Sequence, residues 1–259
     1  MDELTELRAN DVFYAYKGHS VLRGVSLSIK QGELVSLLGK NGAGKTTLLK
    51  LLQGFLKPSN GQILLNGMPL AHFSRRELAQ HIAYVPQSHI PPFPYLVEEV
   101  VMLGRIPYSG TFRAPTQEDK HAVSAALFQL QIHHLAHRAY TELSGGERQL
   151  VLIARALAQG ARIFIMDEPI TGLDYGNQFR LLDTLQMLVS SGFGILMTTH
   201  HPEHALRAST QVALLIDGKI DQKDSPESVI TPSTIKQLYD VSVETIHAAG
   251  HTLFVPADA

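Results

Sequence analysis

The sequence contains no cysteine. That absence excludes disulfides and thiolate metal centres, and it suits a reducing compartment. Charge of one sign is also missing: the formal net charge is -2 over 259 residues, so bulk positive charge does not hold this chain to nucleic acid. No apolar run reaches the roughly 18 residues that a bilayer-spanning helix needs. The opening residues, MDELTELRAND, are acidic and polar, and no signal peptide is expected there. Together these absences predict a soluble cytoplasmic protein, one that would serve a membrane only through a partner. Its length suffices for one substantial core, or for one core with an inserted subdomain.

What is present is organised around Gly39 to Thr47, reading GKNGAGKTT. The stretch follows the apolar run LVSLL and opens onto LLKLL, which is strand, glycine-rich turn, helix. That is the context the P-loop pattern G-x-x-x-x-G-K-[ST] requires. Gly39, Gly42 and Gly44 lack Cβ, so the backbone is expected to reach positive φ and turn its N–H groups toward phosphate oxygens. The helix dipole points its positive end at the same place. Lys45 then reaches the β- and γ-phosphates, and the Thr46 hydroxyl is placed for Mg²⁺. A merely glycine-rich turn would not fill every one of these positions, so the loop is expected to bind a nucleoside triphosphate.

Before the loop, DVFYAY and VLRGVSLSI read as two strands; after it, the helix is expected to end at Gly54. Asn66-Gly67 marks a hairpin, Ser74 to Glu77 a capping box, and Ile82 to Val85 a further strand. From His89 to Gly160 the texture turns helical, with prolines crowded at Pro91, Pro92 and Pro94. The α/β rhythm then returns with strands at Ile163–Met166, Gly194–Thr199 and Gln211–Ile216, and a helix at Gln178–Ser190 whose Leu181, Leu182, Leu185 and Leu188 form a core stripe. Asp217-Gly218 is a second hairpin turn, and Ser225-Pro226 and Thr231-Pro232 each start a short helix. LFVPADA at the end gives no structural signal. The fold class predicted is a mostly parallel α/β core interrupted by a helical insertion.

Four further features narrow the chemistry. IFIMDE ends an apolar strand in two carboxylates: Asp167 to hold Mg²⁺ and Glu168 to polarise a water for attack on the γ-phosphate. In LSGGE, Ser144 and Glu147 form a capping box, while Gly145 and Gly146 leave N–H groups free for an anion. Gln87, at the join of core and insertion, is placed to touch the metal or the attacking water and to sense movement of the insertion. His200, at the end of ILMTT, is placed to hydrogen-bond the γ-phosphate.

With these in order, the chain resembles the ATPase subunits of ATP-binding cassette transporters over essentially its whole length. The resemblance implies a RecA-like P-loop NTPase core (residues 1–87 and 161–224) with an N-terminal antiparallel β subdomain, a helical subdomain (88–160) and a short C-terminal extension (225–259), all in one nucleotide-binding domain. It implies ATP contacts from Tyr16, stacking on adenine, and from Gly39, Asn41, Gly42, Ala43, Gly44, Lys45, Thr46 and Thr47. In a head-to-tail homodimer Ser144, Gly145, Gly146 and the D-loop's Asp174 would complete the other copy's site. Thr46, Gln87 and Asp167 would hold Mg²⁺, with Glu168, His200 and Gln87 catalytic. The implied partners are membrane permease subunits docked on the helical subdomain and, indirectly, a substrate-binding protein, which places the chain on the inner face of the membrane. Glu147, Gly172 and His201 stand where the family more often has glutamine, alanine and aspartate. VMLGRIPY and VSVETIHAAGHTLFVP resemble the branch that imports ferric siderophores, haem and vitamin B12. Molybdate and tungstate importers, and soluble cassette ATPases, remain the alternatives.

Thirteen histidines raise a metal-site reading. His133 and His137 would share a helical face, and His200, His201 and His204 lie close together, but with no acidic partner adjacent the preferred reading is a solvated helix end and a switch loop. Arg105 and Arg113 read as surface charges.

Overall fold

The computed structural model describes residues 4–87, 93–109, 114–248 and 251–257. Pro91, Pro92 and Arg113 lie outside them. Strand β1 (Glu6–Tyr16) pairs antiparallel with β2 (His19–Lys30). Their buried residues face each other in register, Leu7 opposite Ile29 and Ala9 opposite Leu27, so one face of this sheet seals the core. Both strands run longer than the sequence pattern indicates. Next come β3 (Leu34–Leu38) and α1 (Lys45–Leu52). The pair β4 (Asn60–Leu65) and β5 (Met68–Pro69) adds to the antiparallel sheet beside β1. The turn between them has Asn66 and Gly67 both at positive φ, as a two-residue hairpin needs. Helix α2 (Arg75–His81) starts at the Ser74–Glu77 capping box and leads into β6 (Ile82–Val85).

The insertion follows as α3 (Val97–Met102), α4 (Ile106–Ser109), α5 (Gln117–Gln129) and α6 (Gly145–Ala158). Its buried side chains join those of the neighbouring sheet face in one apolar cluster, which runs from Val97 and Leu127 through Leu152 to Phe164 and Met197. Arg105 corrects the sequence reading. It is buried, its Nε donates to Asp119 Oδ1 at 2.9 Å, its Nη1 donates to the Ala158 carbonyl at 2.9 Å, and its guanidinium lies over the Tyr108 ring. The planar fork thus ties α5 to the end of α6, and helical periodicity could not reveal a partner fourteen residues away. Arg105 and the Thr116 cap hold the Asp119 carboxyl down at about 2.

The chain returns as β7 (Ile163–Met166), α7 (Tyr175–Ser190), β8 (Gly194–Thr198), α8 (Pro202–Ala208), β9 (Gln211–Ile216) and β10 (Lys219–Asp224). Helix α7 begins three residues before the predicted Gln178 because Asp174 caps it, accepting from the Asn177 N–H. The second sheet has the order β10-β9-β3-β8-β7-β6, parallel except for β10. Every residue of β3, β7 and β8 is buried, as expected for strands covered on both faces. Two short helices, α9 (Pro226–Val229) and α10 (Pro232–Tyr239), precede β11 (Val243–Ala248) and β12 (His251–Pro256). The last two pair as a hairpin, Ile246 opposite Leu253, which the sequence pattern does not predict. No helix among the described residues is long and apolar enough to cross a membrane.

Candidate active site

In the sheet order, β8 lies between β3 and β7. The loops after these three adjacent parallel strands therefore emerge at one carboxyl edge, where α/β sheets hold their ligands. After β3 comes the P-loop. Gly42 and Gly44 take φ values of 81° and 105°. Gly39 departs from the expectation, since its φ is not positive; its need for glycine is space, because a Cβ would lie 2.5 Å from the Leu215 carbonyl oxygen. Lys45 is buried, and its ammonium donates to the carbonyls of Gly39 and Lys40. Burial pushes its pKa down, against the pull of the Glu168 and Asp167 carboxylates. No acidic residue occupies the first turn of α1, so its dipole is left for an incoming anion. The Thr46 side chain is exposed and that of Thr47 buried. Asn41, Gly42 and Ala43 border a cavity of about 550 Å³. Left-handed glycines, an uncompensated helix end and a buried cation are the donor set that a polyphosphate fits. Tyr16, at the end of β1, is exposed and edge-on to Tyr14 at 4.9 Å, and it does not line that cavity.

After β7, Asp167 donates its main-chain N–H to the Val85 carbonyl, and its carboxylate accepts from the Thr198 hydroxyl at 2.8 Å. The same Thr198 oxygen accepts from the Glu168 N–H at 2.8 Å. Glu168 sits at φ 47°, a left-handed conformation uncommon away from glycine. That turn aims its carboxylate back across the sheet edge, where one oxygen meets His200 Nε2 and the other accepts from the Thr171 hydroxyl at 3.3 Å. Sequence reasoning missed Thr198, the first threonine of ILMTT, because a threonine there is ordinary for a strand. Gln87 is exposed two residues past Val85, the register partner of Met166. It therefore lies at the same edge as the two carboxylates.

The other predicted residues gather elsewhere. Ser144 caps α6, its N–H donating to Glu147 Oε2 at 2.8 Å, and the Glu147 carboxyl is held below the usual range by the Ser144 bonds. A Cβ on Gly146 would lie 2.7 Å from Asn177 Cγ, and Gly145 abuts Leu173. Asn177 in turn donates to Asp174 Oδ2 at 2.6 Å. Ser144, Gly145, Gly146 and Asp174 thus share one neighbourhood. Among the described residues no hydrogen bond or ion pair joins them to Lys45, Asp167, Glu168 or His200.

The histidines form no group of three metal-ligating side chains among the described residues. Residues 133–135 make a single 3₁₀ turn, so His133 and His137 share no α-helical face. His133 stacks on Phe128 with ring centroids 4.3 Å apart. His137 does have an acidic neighbour, Glu98, at 3.2 Å, contrary to the sequence reading.

The sequence profile of the family described as "ABC transporter" matches residues 22–171. Among relatives, the hemin import ATP-binding protein HmuV of Burkholderia lata is 38% identical, with 93% of this chain and 95% of the relative aligned. An ABC transporter ATP-binding protein of Haemophilus influenzae, uncharacterised, is 39% identical over 93% of this chain and 92% of its own length. The cobalamin import ATP-binding protein BtuD of Halobacterium salinarum is 37% identical over 92% of this chain, which spans 60% of that longer protein. Among solved structures, an inward-facing ABC transporter described as of metal-chelate type superposes with a TM-score of 0.85 at 29% identity, over 98% of both chains. An ATP-binding cassette in its ADP conformation gives 0.83 at 25% identity, over 91% of this chain and 98% of the other. The chain belongs to the ABC transporter family, among its ATP-binding subunits.

Proposed function

We propose that this ATPase drives import of a metal chelate, of the ferric siderophore, haem or cobalamin class, through membrane permease subunits. The observation that carries the reading is the meeting of Lys45, Asp167, Glu168 and His200 at one edge of the sheet, from three adjacent strands. The P-loop residues Gly39 to Thr47 hold the triphosphate, with Tyr16 on the adenine. Mg²⁺, when bound, neutralises charge on the β- and γ-phosphates; the Thr46 hydroxyl, Gln87 and Asp167 are the residues that would hold it. Glu168 polarises and orients the attacking water, and Thr198 fixes both acidic residues from the neighbouring strand. His200 keeps the Glu168 carboxylate in place and reaches toward the γ-phosphate.

A second copy supplies Ser144, Gly145, Gly146 and Asp174 to the nucleotide, which makes the working unit a head-to-tail homodimer. We assign 1–87 and 161–224 to the ATP-binding core, 88–160 to the insertion on which the permease docks, and 225–259 to the extension. The complex sits at the inner face of the membrane, peripheral and without nucleic acid, and receives cargo indirectly from a substrate-binding protein. The relatives that import hemin and cobalamin support the choice of cargo class.

Reconstitution tests the cargo. The subunit is co-purified with its polytopic partner, placed in vesicles with ATP, and offered a ferric siderophore, haem, cobalamin, molybdate and tungstate. ATP-dependent uptake of a chelate is expected. Uptake of the oxyanions alone would overturn the cargo class, and failure to co-purify with any membrane protein would overturn the transport role.

A further inference from the structure

The residues after β10 carry none of the ATPase motifs, yet they pack behind both ends of the site. Ile235 and Leu238 of α10 are buried in a cluster with Leu38 and Ala205. Leu38 is the last residue of β3 before the P-loop, and Ala205 belongs to α8, the helix that follows His200. Helix α10 is firmly seated. Thr231 caps it and Pro232 opens it, while the Thr234 hydroxyl donates to the Val229 carbonyl at 2.7 Å. At its last residue the Tyr239 hydroxyl donates to the main-chain carbonyl of His200 at 3.0 Å. Burial, with Glu203 nearby, pushes the Tyr239 phenol up to about 12, so it remains a donor across the working range of pH.

His200 needs such a tether. It falls between the end of β8 at Thr198 and the start of α8 at Pro202, outside either element. On one side the Thr199 N–H reaches the Leu37 carbonyl at 3.4 Å; on the other the His201 N–H bonds to the Thr199 hydroxyl, and the His201 carbonyl accepts from the His204 and Ala205 N–H groups of α8 at 3.2 and 3.4 Å. Among the described residues, the Tyr239 hydroxyl is the one hydrogen-bond partner of the His200 main chain. On the far side the His200 imidazole meets Glu168. A main-chain shift at this position moves the imidazole with it, and displacements of about 1 Å at a reacting centre cost on the order of a hundredfold in rate.

We propose that α10 is a positioning element of the ATPase centre, with Tyr239 fixing the His200 main chain so that the imidazole stays on the Glu168 carboxylate. The proposal rests on the reading of Glu168 and His200 as the hydrolytic pair. Tyr239 is a positioning residue, acting through His200 and not on the nucleotide.

The test uses the full chain in four forms: wild type, Tyr239→Phe, His200→Ala and the double variant. Phenylalanine keeps the ring and deletes only the hydroxyl. Tyr239→Phe is expected to lower kcat by about fivefold to tenfold, the scale of one neutral hydrogen bond. KM for ATP should stay within about twofold, since the P-loop is untouched. In the His200→Ala background, single-turnover phosphate release should show no further loss from Tyr239→Phe, because residues acting through one another are not additive. Wild-type kcat in Tyr239→Phe alongside a crippled His200→Ala overturns the proposal and leaves the hydrolytic pair standing. An additional loss in the double variant overturns it too, as does a fall in kcat that merely follows a lowered urea midpoint. Full activity in His200→Ala overturns the reading of His200 itself, and the proposal with it.

Discussion

The two halves of the candidate site differ in what they do with their polar groups. At the edge of the parallel sheet, Lys45, Asp167, Glu168, Thr198 and His200 bond to one another or to the P-loop main chain, and the buried Lys45 ammonium feels the Glu168 and Asp167 carboxylates. At the start of α6, every bond is local. Ser144 bonds to Glu147 and Asp174 bonds to Asn177, which packs on Gly146. The cap satisfies the third N–H of the helix, at Glu147, and the N–H groups of Gly145 and Gly146 before it have no intrahelical acceptor. One half is arranged for chemistry inside a single chain. The other is a finished helix cap whose open donors suit an anion brought by another molecule, which on our reading is the nucleotide of a second copy.

The largest expected effect breaks the chemical half. Glu168→Gln keeps the shape of the side chain and removes its charge, so phosphate release should fall by about 10² to 10⁴. Calorimetry should find ATP binding retained. Near-normal turnover would remove Glu168 from the hydrolytic role.

A different kind of loss is expected at the anchor of the insertion. Arg105→Ala leaves the buried Asp119 carboxylate without its guanidinium, a change worth about 3–5 kcal/mol in stability. It should appear as a lowered urea midpoint, with turnover per folded molecule largely kept. A surface arginine would show almost nothing. Lys45→Ala should weaken ATP binding by about tenfold to a hundredfold, the scale of a charge-assisted contact, and calorimetry with Mg-ATP reads it directly.

The smallest effect is a pH slope. Asp119 is held down at about 2 from 3.8, so its contribution to stability is complete above about pH 4 and is lost as pH falls toward 2. Denaturation curves across that window should flatten in Asp119→Asn relative to wild type.

Much of this was legible in the residues. The runs LVSLL, IFIM and GILMT read as buried strands because they are apolar without alternation, and each is followed by the polar group it serves. Their spatial order was not legible, because β8 comes last of the three in the chain and lies between the other two. Thr198, Tyr239 and Arg105 escaped for one reason. Each acts through a partner 14 to 39 residues away, a separation that local periodicity cannot encode. The closing hairpin escaped because its strands are largely exposed, leaving little hydrophobic alternation to read. At Gly39 the need for glycine was legible but its physical reason was not, since close approach to Leu215 and not a left-handed turn demands it.

The contrast between the two halves is tested most directly by sedimentation of the hydrolysis-blocked Glu168→Gln protein with ATP, with and without Ser144→Arg. Binding without turnover should stabilise the closed pair, so the parent variant is expected to sediment as an ATP-dependent dimer. Adding Ser144→Arg places a bulky cation at the start of α6 while leaving the P-loop and Tyr16 intact. The account predicts that ATP still binds and that the dimer is lost. An ATP-dependent dimer that forms fully despite the arginine would show that the start of α6 closes no second site and is a helix cap alone.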